Sequence, residues 1–305
     1  MVRRTTEPRW SKRFRRFAVY AIASILLLLL SQRPLLPQPS LKVSLNLTEE
    51  TLEPKATESE RAFFNEAGRS FLIRPDQQGV VALEEESGNP KWEREFGSII
   101  TAAAVSDNLS AWGLMDGRIF ILDQDGVMLR IIDPRNDGVK STQPCVYALA
   151  LSAQGESVAI LYGIFPQNFL LYERKAGFYS LSYTKELQKD LRSTQSAAFS
   201  NQGAEVLVKT AEGLLYFDRN TGKGAVLHQE RFAGEQEMLI KALGETGFAF
   251  LTATADKRHA GVIQHGALAA YFPLPIDSYG LAVSGDSFSI FGQEKDLAFT
   301  WGVYE

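Results

Sequence analysis

An all-β fold built from about six copies of a four-stranded unit is predicted by three features of this 305-residue chain: a recurring motif, Asp-Gly hairpin signals, and the lack of long helical periodicity beyond residue 59. The motif is a small or apolar residue, an apolar residue and a small polar residue or glycine, then a turn and an apolar β run. Ala150-Leu-Ser-Ala-Gln-Gly155 precedes Glu156-Ser-Val-Ala-Ile160, and Ala198-Phe-Ser-Asn-Gln-Gly203 precedes Ala204-Glu-Val-Leu-Val208. Looser copies start at Ala104, Ala242 and Ala282, and the most divergent at Phe63, giving intervals of 41, 46, 48, 44 and 40 residues. A β unit of this length cannot shield both of its apolar faces alone and must stack on its neighbours. A period in the forties with several short strands per unit is therefore the signature of β-propeller blades.

The second unit shows the expected subdivision. Its β runs are Ile99–Val105, Leu109–Leu114, Arg118–Leu122 and Val127–Ile132, separated by Asp107-Asn108, Asp116-Gly117 and Asp125-Gly126. Asp-Gly between alternating apolar runs marks a hairpin, because glycine accepts the positive φ that such turns require. Long helical periodicity is absent from the body, where Tyr183–Leu191 would be at most one or two turns.

Ahead of the propeller, taken as residues 60–305, the chain reads as an address and a tether. Residues 1–16 hold seven basic side chains and one acid, and form a basic cytoplasmic segment. Residues 17–36 read as a transmembrane signal-anchor, with a cleaved secretory signal as the alternative: Phe17–Leu30 has one polar residue, Ser24, and Leu35 and Leu36 extend it to about the 20 residues that a span needs. The basic end stays in the cytoplasm by the positive-inside rule, which places the body on the extracytoplasmic side of a bacterial-type inner membrane. Residues 37–59 form a Pro- and Glu-containing linker, interrupted by the strictly alternating Leu41-Lys-Val-Ser-Leu-Asn-Leu47. That strand signature needs a sheet to join. The last unit has only Gly302-Val-Tyr-Glu305 after Asp296–Trp301, so strand 41–47 is expected to complete it and close the ring.

The stretch Gly79-Val-Val-Ala-Leu-Glu-Glu-Glu-Ser-Gly-Asn-Pro-Lys-Trp92 resembles the repeat of quinoprotein-like propellers (PQQ-repeat, WD40-like). Gly213-Leu-Leu-Tyr-Phe-Asp-Arg-Asn-Thr-Gly222 and Gly117-Arg-Ile-Phe-Ile-Leu-Asp-Gln-Asp-Gly126 are similar but lack the tryptophan. The resemblance implies a propeller whose catalytic relatives hold a quinone and calcium in the central channel. Its non-catalytic relatives bind partner proteins. This chain lacks a vicinal cysteine pair and a recurrent Asp, Glu and Asn cluster, so the resemblance points to the non-catalytic branch. Trp92 is expected to pack against a neighbouring blade.

The chemistry-bearing residues are few. Cys145 is the single cysteine and reads as a small buried hydrophobe; His228, His259 and His265 read as loop or surface side chains. Acidic residues at 84–86, 116, 123 and 125 occupy turn positions, where hydrogen bonds to backbone account for them. No phosphate loop, nucleophile elbow or zinc-protease motif is present. No catalytic, cofactor-binding or metal-ligating residue is assigned, and no cofactor is expected. The net charge of −4 divides into +6 over residues 1–16 and −10 beyond, which argues against nucleic acid as a partner. The expectation is a non-enzymatic protein-interaction scaffold that meets another envelope protein or complex. Asp133–Pro144 and Lys185–Thr194 are its candidate contact segments. The alternative is a small-ligand or cofactor-binding sensor or enzyme that uses the central channel.

Overall fold

A computed structural model describes residues 42–44, 62–66, 68–234, 236–254, 256–292 and 296–300. The basic segment, the expected anchor 17–36 and most of the linker lie outside the described residues. Among those described, no helix is long and apolar enough to cross a membrane.

The described chain opens with β1 (Lys42–Ser44). Five consecutive meanders follow: β2 (Ala62–Glu66), β3 (Arg69–Ile73), β4 (Gly79–Leu83) and β5 (Pro90–Glu95); β6 (Ile100–Val105), β7 (Leu109–Leu114), β8 (Ile119–Asp123) and β9 (Met128–Ile132); β10 (Gln143–Leu151), β11 (Ser157–Ile164), β12 (Asn168–Lys175) and β13 (Phe178–Glu186); β14 (Ala197–Phe199), β15 (Glu205–Thr210), β16 (Gly213–Asp218) and β17 (Lys223–Leu227); β18 (Glu237–Leu243), β19 (Gly247–Ala253), β20 (Arg258–Gln264) and β21 (Ala267–Leu274). A last group, β22 (Gly280–Ser284), β23 (Ser287–Phe291) and β24 (Leu297–Thr300), is completed by β1. Each sheet is antiparallel and four-stranded, and the arrangement is propeller-like.

Of the strand expected over residues 41–47, the described part, Lys42–Ser44, completes the last sheet, and residues 41 and 45–47 lie outside the described residues. Lys42 pairs with Thr300, Val43 with Phe299 and Ser44 with Ala298, so the first strand of the described chain joins the sheet of its last three. Tyr183–Leu191, read as at most one or two helical turns, holds none. Tyr183–Glu186 continues β13 in register with β12, Tyr183 opposite Leu171 and Thr184 opposite Leu170. Its alternation of exposed and half-buried positions is strand-like, and pairing decides between the two periods.

The core is distributed between sheets. Ile119, Ile121 and Ala111 of the second sheet meet Val158, Ile160 and Val146 of the third. Ala159, Leu161 and Phe169 meet Val206, Val208 and Phe217 of the fourth. Trp112 and Leu114 meet Phe71 and Val80 of the first. Leu207 and Leu214 meet Ile240, Phe248 and Phe250 of the fifth, and Leu251 and Val262 of the fifth meet Phe288 and Ile290 of the sixth. Middle strands are therefore buried on both faces, as in β7, β11 and β15, where every residue is buried. That explains their near-continuous apolar sequence, since a sheet covered on both sides has no polar face to alternate with.

Tight glycine contacts set the spacing between sheets. A Cβ on Gly113 of β7 would stand 2.4 Å from Val146 Cγ1 of β10. Gly126, at φ +75°, lies under the indole of Trp92, whose Cδ2 would be 2.5 Å from an added Cβ. Trp92 Nε1 donates to Gln124 O at 3.0 Å, so Trp92 packs on the β8–β9 turn of the next sheet, as the sequence led one to expect.

Candidate interaction face and central channel

Among the described residues, strand polarity sorts the connections onto one of two faces. Links between sheets, such as β9–β10 and β13–β14, share a face with the second-to-third-strand turns, such as β7–β8 and β11–β12. The other face carries the first-to-second and third-to-fourth turns. Both sequence-predicted contact segments are inter-sheet links, and the structure brings them to one turn.

That turn is Phe165-Pro166, between β11 and β12, with a cis peptide bond and Phe165 at φ +54°. From one side Ser141 Oγ donates to Ile164 O at 2.8 Å, and Thr142 Oγ1 donates to Phe165 O at 2.8 Å. From the other, the Asp190 carboxylate accepts from the backbone N–H of Phe165 and of Gln167, at 3.3 and 2.9 Å. Gln167, fully buried, donates through Nε2 to Leu191 O and accepts the Leu191 N–H at Oε1. The Phe165 ring is left 55% exposed, with the Arg192 guanidinium 5.8 Å from its centroid. A turn held from both sides thus presents an aromatic ring to solvent.

The link 133–142 is itself fixed. Pro134–Asp137 forms a 3-10 turn capped by Asp133, whose carboxylate accepts from Arg135 N and pairs with the Arg135 guanidinium at 2.7 Å. That hydrogen bond holds the Asp133 carboxyl below its usual range. Tyr172 Oη, rising from β12, donates to Asp137 Oδ2 at 2.8 Å. Burial first, and then this bond, push the Tyr172 phenol up. Further apolar side chains stand on the same face: Met115 in the β7–β8 turn, and Ile276 and Tyr279 in the β21–β22 link, 50%, 61% and 65% exposed.

Inside the ring of first strands lies a cavity of about 760 Å³, walled by β6, β10, β14 and β18. Its wall is rich in alanine, with Gln195, Ser196, Glu237 and Lys241 supplying polarity. Part of that polarity is structural: Ser196 Oγ accepts the Ile240 N–H at 2.9 Å. Among the described residues no three His, Cys, Asp or Glu side chains converge as metal ligands. The carboxylate cage that calcium-dependent quinoproteins require is not assembled by the described wall, which does not fit that cofactor pair.

The remaining chemistry-bearing residues are dispersed. Cys145 is buried in β10, and burial pushes its thiol up, away from nucleophilic use. His228 follows β17 at φ +49°. His259 and His265 stand at opposite ends of β20, His259 stacked on Tyr271 at 4.8 Å and His265 Nδ1 3.6 Å from Glu205. Burial lowers the His259 pKa. Two of the turn carboxylates cap backbone, Asp116 accepting from Arg118 N and Asp123 from Asp125 N and Val127 N, whereas Glu84 accepts from Ser87 Oγ and Asp125 pairs with Lys91 at 2.9 Å. Sequence reasoning missed Phe165, Met115, Ile276 and Tyr279. The available signal for the first was an aromatic directly before proline in a turn between two apolar runs.

A family model described as beta-propeller protein matches residues 36–241. The chain belongs to this β-propeller family. No curated protein matches it. Among solved structures, BamB from Moraxella catarrhalis is 14% identical with a TM-score of 0.53, over 78% of this chain and 68% of that one. A chain of the mitotic checkpoint complex is 12% identical with a TM-score of 0.52, over 78% of this chain and 74% of that one. At these identities the likeness concerns the fold, a propeller of the PQQ/WD40-like kind.

Proposed function

We propose that this chain is a membrane-anchored, extracytoplasmic six-bladed β-propeller that serves as a protein-interaction scaffold in a bacterial cell envelope, without catalysis of its own. The observation that carries the reading is the loop face. Phe165, Met115, Ile276 and Tyr279 are exposed there, and Phe165 is held by hydrogen bonds from two separate inter-sheet links. A rigid frame that exposes apolar side chains among polar ones suits partner binding, because little conformational entropy remains to be lost. The match to a chain of the mitotic checkpoint complex supports a propeller working inside an assembly. The anchor and the compartment rest on the apolar run 17–36 and its basic flank.

Cross-linking in intact membranes tests this. A double replacement, Phe165→Ser with Tyr279→Ser, is expected to remove a stoichiometric cross-linked species while leaving the melting temperature unchanged. An unaltered cross-link pattern would count against the face. The alternative, a small-ligand sensor or enzyme, is favoured only by the channel volume. It predicts a ligand-dependent rise in melting temperature that Glu237→Gln or Lys241→Met abolishes.

A further inference from the structure

We infer that β9, the outermost strand of the second sheet, is a docking edge for an extended segment of a different protein, one carrying a carboxylate flanked by apolar side chains. The inference rests on the scaffold reading but concerns a separate surface from the Phe165 face.

The other meanders protect their outer strands. β5 exposes Lys91, Glu93, Arg94 and Glu95; β17 exposes Lys223; β21 exposes Pro273; β13 turns serines, Thr184 and Glu186 outward past its first residue. Charge and proline on an edge discourage another strand from adding to it. β9 is different. Met128, Leu129 and Ile131 are 49%, 46% and 39% exposed, and Val127 just before them is 52% exposed. Phe178 of the next sheet, 60% exposed, extends the patch. A bulge between Met128 and Arg130 does not set β9 apart, since β5, β13 and β21 each carry one too.

One cation sits in the middle of this apolar edge. The Arg130 guanidinium lies 5.3 Å from the Phe178 ring centroid, and among the described residues it makes no ion pair. That charge decides the occupant. A second copy paired edge to edge about a two-fold axis would bring two Arg130 side chains together, and like charges across a strand pair are destabilising. A carboxylate opposite Arg130, with apolar neighbours over Leu129 and Ile131, complements both the charge and the patch.

The test titrates the detergent-purified full chain with two fluorescent peptides, alternating valine and threonine about a central glutamate or a central lysine. The glutamate peptide is expected to bind about two- to fivefold more tightly than the lysine peptide, and Arg130→Glu to invert that order. Ile131→Lys should weaken both, and Phe165→Ser should change neither. Equal affinities for both peptides, or no binding of either, would overturn the inference. So would a dimer of the wild-type chain that Ile131→Lys disperses, because the edge would then belong to a second copy. Loss of peptide binding in Phe165→Ser would move the contact to the loop face, ending the β9 inference and leaving the scaffold reading intact. If instead cross-linking in membranes fails while the peptides are still discriminated, the Phe165 face loses its role and β9 keeps its own.

Discussion

Trp112 is fully buried between the first and second sheets, its ring 5.3 Å from Phe71 in an edge contact, with Nε1 donating to Ser110 Oγ at 3.1 Å. Replacing it with alanine opens a void that the flanking sheets cannot close, so Trp112→Ala is expected to cost about 3–5 kcal/mol, read from urea unfolding. Lys209 is as deeply buried, and its Nζ donates to Thr210 O and Gly234 O, both at 2.7 Å. Lys209→Met keeps the stem but leaves those carbonyls without that donor, and about 2–4 kcal/mol should be lost in the same measurement. The two residues differ in how far the sequence announced them. A tryptophan or other large apolar side chain inside an apolar β run reads directly as core. A lysine at the end of Glu205-Val-Leu-Val-Lys209 reads as an outward position, and only the link that brings Gly234 over it makes it an interior one.

The inter-sheet link 133–142 is tied to the third sheet at its far end by Ser141, Thr142 and the Asn168 amide, and at its 3-10 turn by the Tyr172 phenol. Removing the hydroxyl with Tyr172→Phe deletes the 2.8 Å bond to Asp137. Amide exchange is expected to accelerate over residues 134–139 while β11 and β12 keep their protection, with a global cost of about 1 kcal/mol. Spared exchange there would show that the Asp133 cap and Arg135 hold the turn without the phenol. The segment was recognisable in sequence as long and polar. Its docking was not, because Tyr172 lies in an apolar run whose register, and hence the direction of its hydroxyl, is set by pairing with Val158 and Leu181. Gly126 tells the opposite story: an Asp-Gly pair predicted the turn, and φ +75° with the indole of Trp92 overhead confirms why no side chain fits. Gly126→Ala should therefore destabilise by about 1–3 kcal/mol, measured as a shift in urea midpoint.

The ring as a whole has two global liabilities, its closure and its buried phenols. Deleting residues 1–47 removes β1 and leaves the outer edge of β24 unpaired, whereas deleting residues 1–40 spares it. The longer deletion is expected to melt at lower temperature and to form soluble aggregates by light scattering, the shorter one to stay monodisperse. Burial pushes Tyr147 and Tyr162 up to about 12, and raises Tyr172 and Tyr216 as well. In the unfolded chain these phenols ionise near 10.0, so between pH 10 and 12 the unfolded state sheds protons that the native state keeps. Their contribution is complete below pH 10 and declines above it. The urea midpoint should fall steadily over that window, and a midpoint that stays level from pH 10 to 12 would contradict it.

Repeat spacing, Asp-Gly turns and apolar alternation are local properties, so the sequence by itself determined the all-β class, the four-stranded units and the strand that returns to the last sheet. It also determined the role of Trp92, since a tryptophan at the end of the Gly-to-Trp repeat has only the next unit to pack against. Tertiary structure alone decided which face carries exposed apolar side chains, that Phe165 is clasped by two links far apart in sequence, and that β9 is the apolar edge. The reason is physical: exposure is set by what the rest of the chain covers, and no window of neighbouring residues contains that information.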